Sequence, residues 1–228
     1  MSRLLVAGGG ILAALLVLAA VTLLVATARW DRATAALRDA MRSGSRAPAG
    51  LVAIDSTSAP PVVRRYLERA IPPGATPVGA ATLVQEGQFQ MGKGEAGWRR
   101  FHATHHVRAY PPGFLWDASI AMAPMVPVRV RDGYMDGRGM MKGALAAVVV
   151  VVDAEPTPAL AEGALYRYLA EAAWIPTRLL PGDGLAWAAV DDSTARATLR
   201  DGSVEVDVQF GFDADADITS IFVPERGR

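Results

Sequence analysis

The chain has 228 residues, 51% of them hydrophobic, with 23 basic and 23 acidic side chains and a formal net charge of zero. That balance offers no field for nucleic acid, which is excluded as a partner. With no cysteine in the chain, disulfides, thiolate nucleophiles, iron–sulfur clusters and Cys-ligated zinc are excluded as well.

Residues 4–28 carry no charge and are mostly Leu, Ala and Val. About 20 apolar residues span a hydrocarbon core as a helix, so this run is long enough to cross a bilayer. Ala26-Thr27-Ala28 has the small-x-small form of a signal cleavage site. The run is longer than the 7–15 residues or so of a signal's apolar region, which favours an uncleaved anchor. Domain boundaries follow: 1–29 transmembrane anchor, 30–50 juxtamembrane segment and linker, 51–228 β-rich globular domain. The arginines after the run place the domain in the cytoplasm by the positive-inside rule. The three-residue tail and signal-like opening place it outside, and the fold reading below tips the balance to an extracytoplasmic domain. Residues 30–42 continue as a short interfacial helix with Trp30 at the aromatic belt, and 43–50 reads as a linker.

A helix follows Ser58, the candidate N-cap, with prolines in its first turn and Val62, Val63, Tyr66, Leu67 and Ala70 as its apolar stripe. From residue 80 the period changes to two. Strands are expected over 81–91, 98–110, 114–122, 126–134 and 139–152, separated by Gly- and Pro-rich turns. Residues 144–152 are apolar on both faces and read as a central strand. Thr157 caps a second helix, whose apolar stripe runs through Ala161, Leu165, Tyr168 and Leu169. Four more strands are expected, over 185–190, 194–200, 203–212 and 218–224. Asp201-Gly202 as a two-residue loop would set Arg196 opposite Asp207, with Leu199, Val204, Val206, Val208 and Phe210 on the buried face. The fold class is α+β: an N-terminal transmembrane helix, then one curved, half-barrel-like antiparallel sheet with helices packed on it.

Metal and catalytic signals are weak. His102 and His106 share a strand face but lie about 13 Å apart, too far for one zinc ion. Asp213, Asp215 and Asp217 lack the glycine and closing glutamate of a calcium loop. No nucleophile elbow or phosphate loop is present. No cofactor, no metal site and no catalytic residue is assigned. Arg167, Glu171 and Trp174 fall within about 40° of one another on the second helix, a cationic fork beside an aromatic wall. Trp116, Met122 and Val128 supply apolar surface, within a run that also holds Met125, Met135, Met140 and Met141. The candidate ligand site is therefore Trp116, Met122, Val128, Arg129, Arg167, Glu171 and Trp174, with Arg167 and Glu171 at the rim of an apolar cavity.

The string AEGALYRYLAEAAWIPTRLLP at 161–181 resembles the signature EGxxxRYLxExxWxPTxLLP of an uncharacterised bacterial membrane-anchored family, a domain of unknown function. PPVVRRYL at 60–67, PPGFLWDASIAMAPMVPVRVRDGY at 111–134 and WAAVDDSTARATLRDG at 187–202 resemble it too. The resemblance implies no catalytic residues. The order of elements is similar to the half-barrel of periplasmic lipoprotein carriers, an analogy of fold alone. The expected function is a membrane-tethered binding protein for a hydrophobic or amphiphilic ligand, lipid included, with the bilayer as partner through residues 4–28. The alternatives are an enzyme using Asp117, Arg129, Arg167 or Glu171 in the same cavity, and an interaction module of the cell envelope.

Overall fold

The computed structural model describes residues 2–46, 58–92, 94, 97–123 and 126–223. Its first element is one unbroken helix, α1 (Ser2–Ser43), 42 residues long. At 1.5 Å per residue that is roughly 63 Å, about twice the hydrocarbon thickness of a bilayer. It is the one described helix long and apolar enough to cross a membrane, and its apolar window is 0% buried. From Trp30 onward its character changes. Trp30, Thr34 and Met41 are buried and recur at helical spacing, so one stripe of α1 lies against the domain. The juxtamembrane segment is thus a docked continuation of the apolar helix. The first residues of the expected linker are also tied down: Arg46 N–H donates to Tyr110 O at 2.7 Å and Ser45 Oγ donates to Gly79 O at 3.3 Å. Residues 47–50 of that linker lie outside the described residues.

Helix α2 (Pro61–Ala70) buries Val62, Val63, Tyr66 and Leu67. Its cap is Pro60, with no side-chain hydrogen bond, in place of the expected Ser58. Two consecutive prolines explain this: Pro61 fixes a helical φ and has no N–H to cap.

Ten strands follow: β1 (Ala80–Gln90), β2 (Trp98–Arg108), β3 (Gly113–Ala123), β4 (Val126–Met135), β5 (Arg138–Leu145), β6 (Val149–Asp153), β7 (Leu185–Ala189), β8 (Thr194–Asp201), β9 (Val204–Phe212) and β10 (Ile218–Phe222). The α+β class and antiparallel pairing are as expected, but the single continuous sheet is not. There are two sheets, a six-stranded meander β1-β2-β3-β4-β5-β6 and a four-stranded one in the order β10-β9-β8-β7. The split falls at α3 (Pro158–Glu171), which is capped by Thr157 as expected. α3 packs on β4 and β5 of the first sheet and on β9 of the second, so both sheets bury one face against it. One core joins α2, α3 and both sheets. Tyr134 Oη on β4 donates to Asp201 Oδ2 at the end of β8, 2.7 Å away, and ties the sheets together.

Two local readings are corrected. The strand expected over 139–152 is two strands, because Ala146 and Ala147 adopt positive φ of 50° and 60° and reverse the chain. β6 is an edge strand with every residue exposed, not a central one. Alanine rarely takes this conformation, so no residue type announced the turn. In the β8–β9 hairpin the loop is Gly202-Ser203: Asp201 pairs with Val204 and Arg200 with Glu205. Gly202, at φ 61°, occupies the first loop position, as a type II′ turn requires. The Asp201-Gly202 and Gly202-Ser203 signals overlap, and the second prevails. Shifting the loop by one residue moves the register by two, so the faces are preserved. Val206, Val208 and Phe210 are buried and Glu205 is exposed, while Arg196 pairs with Gln209 in place of Asp207.

Candidate functional site

The six-stranded sheet has two unlike faces. Strand alternation sends His105, Phe114, Trp116 and Asp132 to the face covered by α3, and Asp117, Arg129, Arg131 and Lys142 to the face crossed by α1.

On the α3 face, Arg167 Nη1 donates to Asp132 Oδ2 at 2.5 Å and its Nε to Glu171 Oε1 at 2.9 Å. The guanidinium lies 5.2 Å from the Phe114 ring centre and 5.1 Å from that of Trp116. His105 Nδ1 approaches Glu171 Oε2 at 3.6 Å, and its ring meets Trp174 edge-on at 6.0 Å. Burial pushes the His105 pKa down to about 3, helped by the positive charge of Arg167. Burial raises that of Glu171 against the pull of Arg167. Arg178 is buried, stacks 4.0 Å from the Tyr168 ring centre and donates Nη1 to Arg108 O at 3.0 Å. Among the described residues His105 Nδ1, Glu171 Oε2 and Arg178 Nε have no hydrogen-bond partner, and their residues line one space of about 10 Å³. That is the scale of a single water molecule, so no organic ligand fits there.

Four residues of the expected site meet on this face. Trp116 and Glu171 touch Arg167, and Trp174 reaches the group through His105. They do not form a cavity. Trp116 is 6% exposed, donates to Gln85 Oε1 at 2.8 Å and packs with Phe89 and Phe101. Val128 is buried, and Met122 is exposed near the end of β3. Trp174, half exposed, lines an open groove elsewhere with Tyr66 and Ile218. Arg129 lies on the opposite face. Of the expected methionine group, Met125 lies outside the described residues, and Met122 and Met141 are exposed.

On the α1 face, Trp30 Nε1 donates to Asp117 Oδ1 at 3.1 Å. Arg129 Nη2 bridges Asp31 at 3.1 Å and Asp117 at 3.3 Å. Arg131 stacks on Trp30 with 4.1 Å to the ring centre. It is 8% exposed, has no ion pair among the described residues and leaves its Nε without a partner. Desolvation lowers its pKa, the charge of Asp117 acting against the shift. Beside it opens a cleft of about 510 Å³, with Val21, Val25 and Ala26 of α1 on one wall and Lys142, Ala147 and Val148 of the sheet on the other. Arg29, Trp30 and Arg131 complete the lining. Lys142 pairs with Asp153 at 2.7 Å. A second, more polar hollow of about 650 Å³ involves Glu86, Arg100, His102 and Ser119, with His102 Nδ1 3.4 Å from Glu86. Arg131 was legible as the outward partner of Val130. That this outward face is covered was signalled only by the stripe Trp30, Thr34, Met41.

A family profile matches residues 57–228, from the start of α2 through both sheets. The chain belongs to DUF6920, a family of unknown function. The DUF6920 region holds the sheet wall of the cleft, and the helical wall at 21–30 precedes it. No curated protein and no solved structure matches the chain.

Proposed function

We propose that this DUF6920 protein is a membrane-tethered binding protein for an amphiphilic ligand. The ligand would sit between α1 and the six-stranded sheet, beside the bilayer that α1 crosses. The single observation that carries this reading is the cleft whose one wall is the apolar helix itself. A volume of about 510 Å³ lies within the usual range of small-molecule sites, about 300–1,000 Å³. An apolar wall continuous with a membrane span, ending on arginines and a tryptophan, matches the two ends of an amphiphile. The α3 face supports an enzyme less well, because its polar group encloses no room for a substrate. We propose the extracytoplasmic side for the domain, supported by Ala26-Thr27-Ala28 at the end of the apolar run, which has the small-x-small form found in exported proteins.

The test is lipid mass spectrometry of the full chain purified in mild detergent. Val148→Trp, which fills the cleft, should at least halve the lipid recovered per chain. Trp174→Ala, on the other face, should leave it unchanged. Unaltered recovery with Val148→Trp would overturn the assignment, and a loss with Trp174→Ala would move the site to the α3 face.

A further inference from the structure

We infer that the cleft selects an anionic phospholipid and that Arg29 and Arg131 hold its phosphate. The inference rests on the amphiphile-binding reading above and adds the ligand class and the residues that recognise it. Its starting point is an imbalance of charge. Arg29, Arg131 and Lys142 line the cleft, and among the described residues only Lys142 has a carboxylate at ion-pair distance, that of Asp153. The nearby acids are already engaged: Asp117 accepts from Trp30 and Arg129, and Asp31 from Arg129. Arg131 is therefore a cation at 8% exposure with no carboxylate at ion-pair distance among the described residues, the charge of Asp117 reaching it only from farther off. A buried charge is unfavourable unless it is paired. Trp30 holds the guanidinium plane in place by stacking, so its donor edge is fixed before a ligand arrives. A planar guanidinium fork matches phosphate oxygens two at a time.

The apolar half of the cleft defines the rest of the ligand. Val21 and Val25 are exposed on α1, and Val148 faces them from the β5–β6 turn. These side chains lie on the N-terminal side of Arg29 and Trp30, the side that enters the bilayer. A phosphate at the arginines would leave its acyl chain running along the valines into the hydrocarbon. The sheet sets the depth. β6 presents Val149, Val150, Val151 and Val152 to the outside, yet its edge carries unpaired backbone groups that hydrocarbon cannot satisfy. The turn and β6 therefore lie at the headgroup layer, where phosphates are. A zwitterionic headgroup would bring its own cation beside two arginines, which sets the preference for net negative charge.

The experiment is native mass spectrometry of the full chain in detergent, titrated separately with phosphatidylglycerol, phosphatidylcholine and inorganic phosphate. Phosphatidylglycerol should be retained about tenfold better than phosphatidylcholine, the equivalent of one good charge-assisted contact. Arg131→Gln should remove most of that preference. Arg29→Gln, an exposed position that leaves the fold alone, should lower phosphatidylglycerol retention about threefold and phosphatidylcholine retention by less, since both carry the phosphate and only the first is net negative. Equal retention of the two lipids, or wild-type selectivity in Arg29→Gln, would overturn the inference and leave the amphiphile reading standing. Inorganic phosphate that displaces phosphatidylglycerol at equal concentration would overturn the lipid in favour of a soluble phosphate. Retention of no lipid at all would overturn both readings.

Discussion

On either face of the same sheet an arginine lies against a tryptophan ring. Arg167 lies 5.1 Å from the Trp116 ring centre and Arg131 lies 4.1 Å from that of Trp30. Their electrostatic surroundings are opposite. Arg167 donates to two carboxylates, Asp132 and Glu171, whereas Arg131 has none among the described residues. On the α3 face the Arg167 fork is answered by Asp132 and Glu171 and apolar side chains fill most of the space, while buried Arg178 is held by the Arg108 carbonyl and the Tyr168 ring with no carboxylate among the described residues. The α1 face keeps an open cleft, and its carboxylates pair with Arg129 and Lys142 and not with Arg131 among the described residues. The cationic fork that draws the eye in the sequence is the one paired with carboxylates, and the arginine without an ion pair among the described residues sits on a strand that looked merely amphipathic.

If the α3 face is the structural one, its side chains should dominate stability. Phe114, 1% exposed, packs against His105 and lies beneath Arg167. Phe114→Ala should destabilise the domain by about 3–5 kcal/mol in urea unfolding of the full chain, through lost burial and a residual cavity. A loss below about 1 kcal/mol would show that this face is not the core it looks to be. The α1 face should respond differently. Trp30→Ala removes a 5% exposed side chain, its bond to Asp117 and the stacking of Arg131. It should weaken the docking of α1 by about 3 kcal/mol and leave the two-sheet core folded. Hydrogen exchange would then accelerate in residues 30–43 and stay slow in β8 and β9. Equal acceleration in both would mean that α1 is part of the core.

How much of this was legible follows from what each signal encodes. Period-two alternation located the strands and the buried face of β9, because alternation depends only on which side is wet. It could not reveal two sheets. A strand pattern says nothing about which strand is its neighbour, and the division comes from α3 lying between β5 and β9. The alanine turn at 146–147 was invisible because its left-handed backbone lacks the glycine or asparagine that usually marks one. The expected ligand site mixed both faces: Arg129 was grouped with Arg167, although pairing register puts them on opposite sides of the sheet. The wish of Trp116 and Val128 to be buried was readable. Whether they would line a cavity or fill one depended on Phe89 and Phe101, which arrive from another hairpin.

The enclosed polar group sharpens the contrast through pH. His105 is held neutral down to about pH 3, against 6.5 for an ordinary histidine. Below 6.5 the unfolded chain binds a proton that the native state refuses, so stability should fall as pH drops. The slope should approach 1.4 kcal/mol per unit, roughly, once the unfolded histidine is charged, and should level off near pH 3. Glu171 acts in the opposite sense. Its raised pKa means that the native state gains a proton first as pH falls, which offsets part of the histidine effect between its folded and unfolded pKa values. His105→Gln should flatten the profile between pH 6.5 and 5, read from urea midpoints. A profile unchanged by His105→Gln would mean that the loss at low pH arises elsewhere.

The smallest effect tests the cleft wall itself. Ala146 and Ala147 both stand at positive φ, where an L-residue with a Cβ is strained by about 1 kcal/mol or more. The turn persists because its ends are fixed: Ala146 N–H donates to Pro127 O at 2.7 Å and Val148 N–H to Leu145 O at 2.9 Å. Glycine adopts the same φ without strain, although it has more freedom to lose on folding. Relief of strain outweighs that loss, so Ala147→Gly should stabilise the full chain by about 0.5–1 kcal/mol, seen as a small rise in the urea midpoint at constant slope. The substitution removes one methyl group from the cleft and touches neither Arg29 nor Arg131. Lipid selectivity should therefore survive while stability rises. A gain in stability with loss of selectivity would show that the strained turn, and not the arginine pair, shapes the site. A loss of stability would mean that the left-handed alanines are not strained, and that the hydrogen bonds at the ends of the turn suffice to set its course.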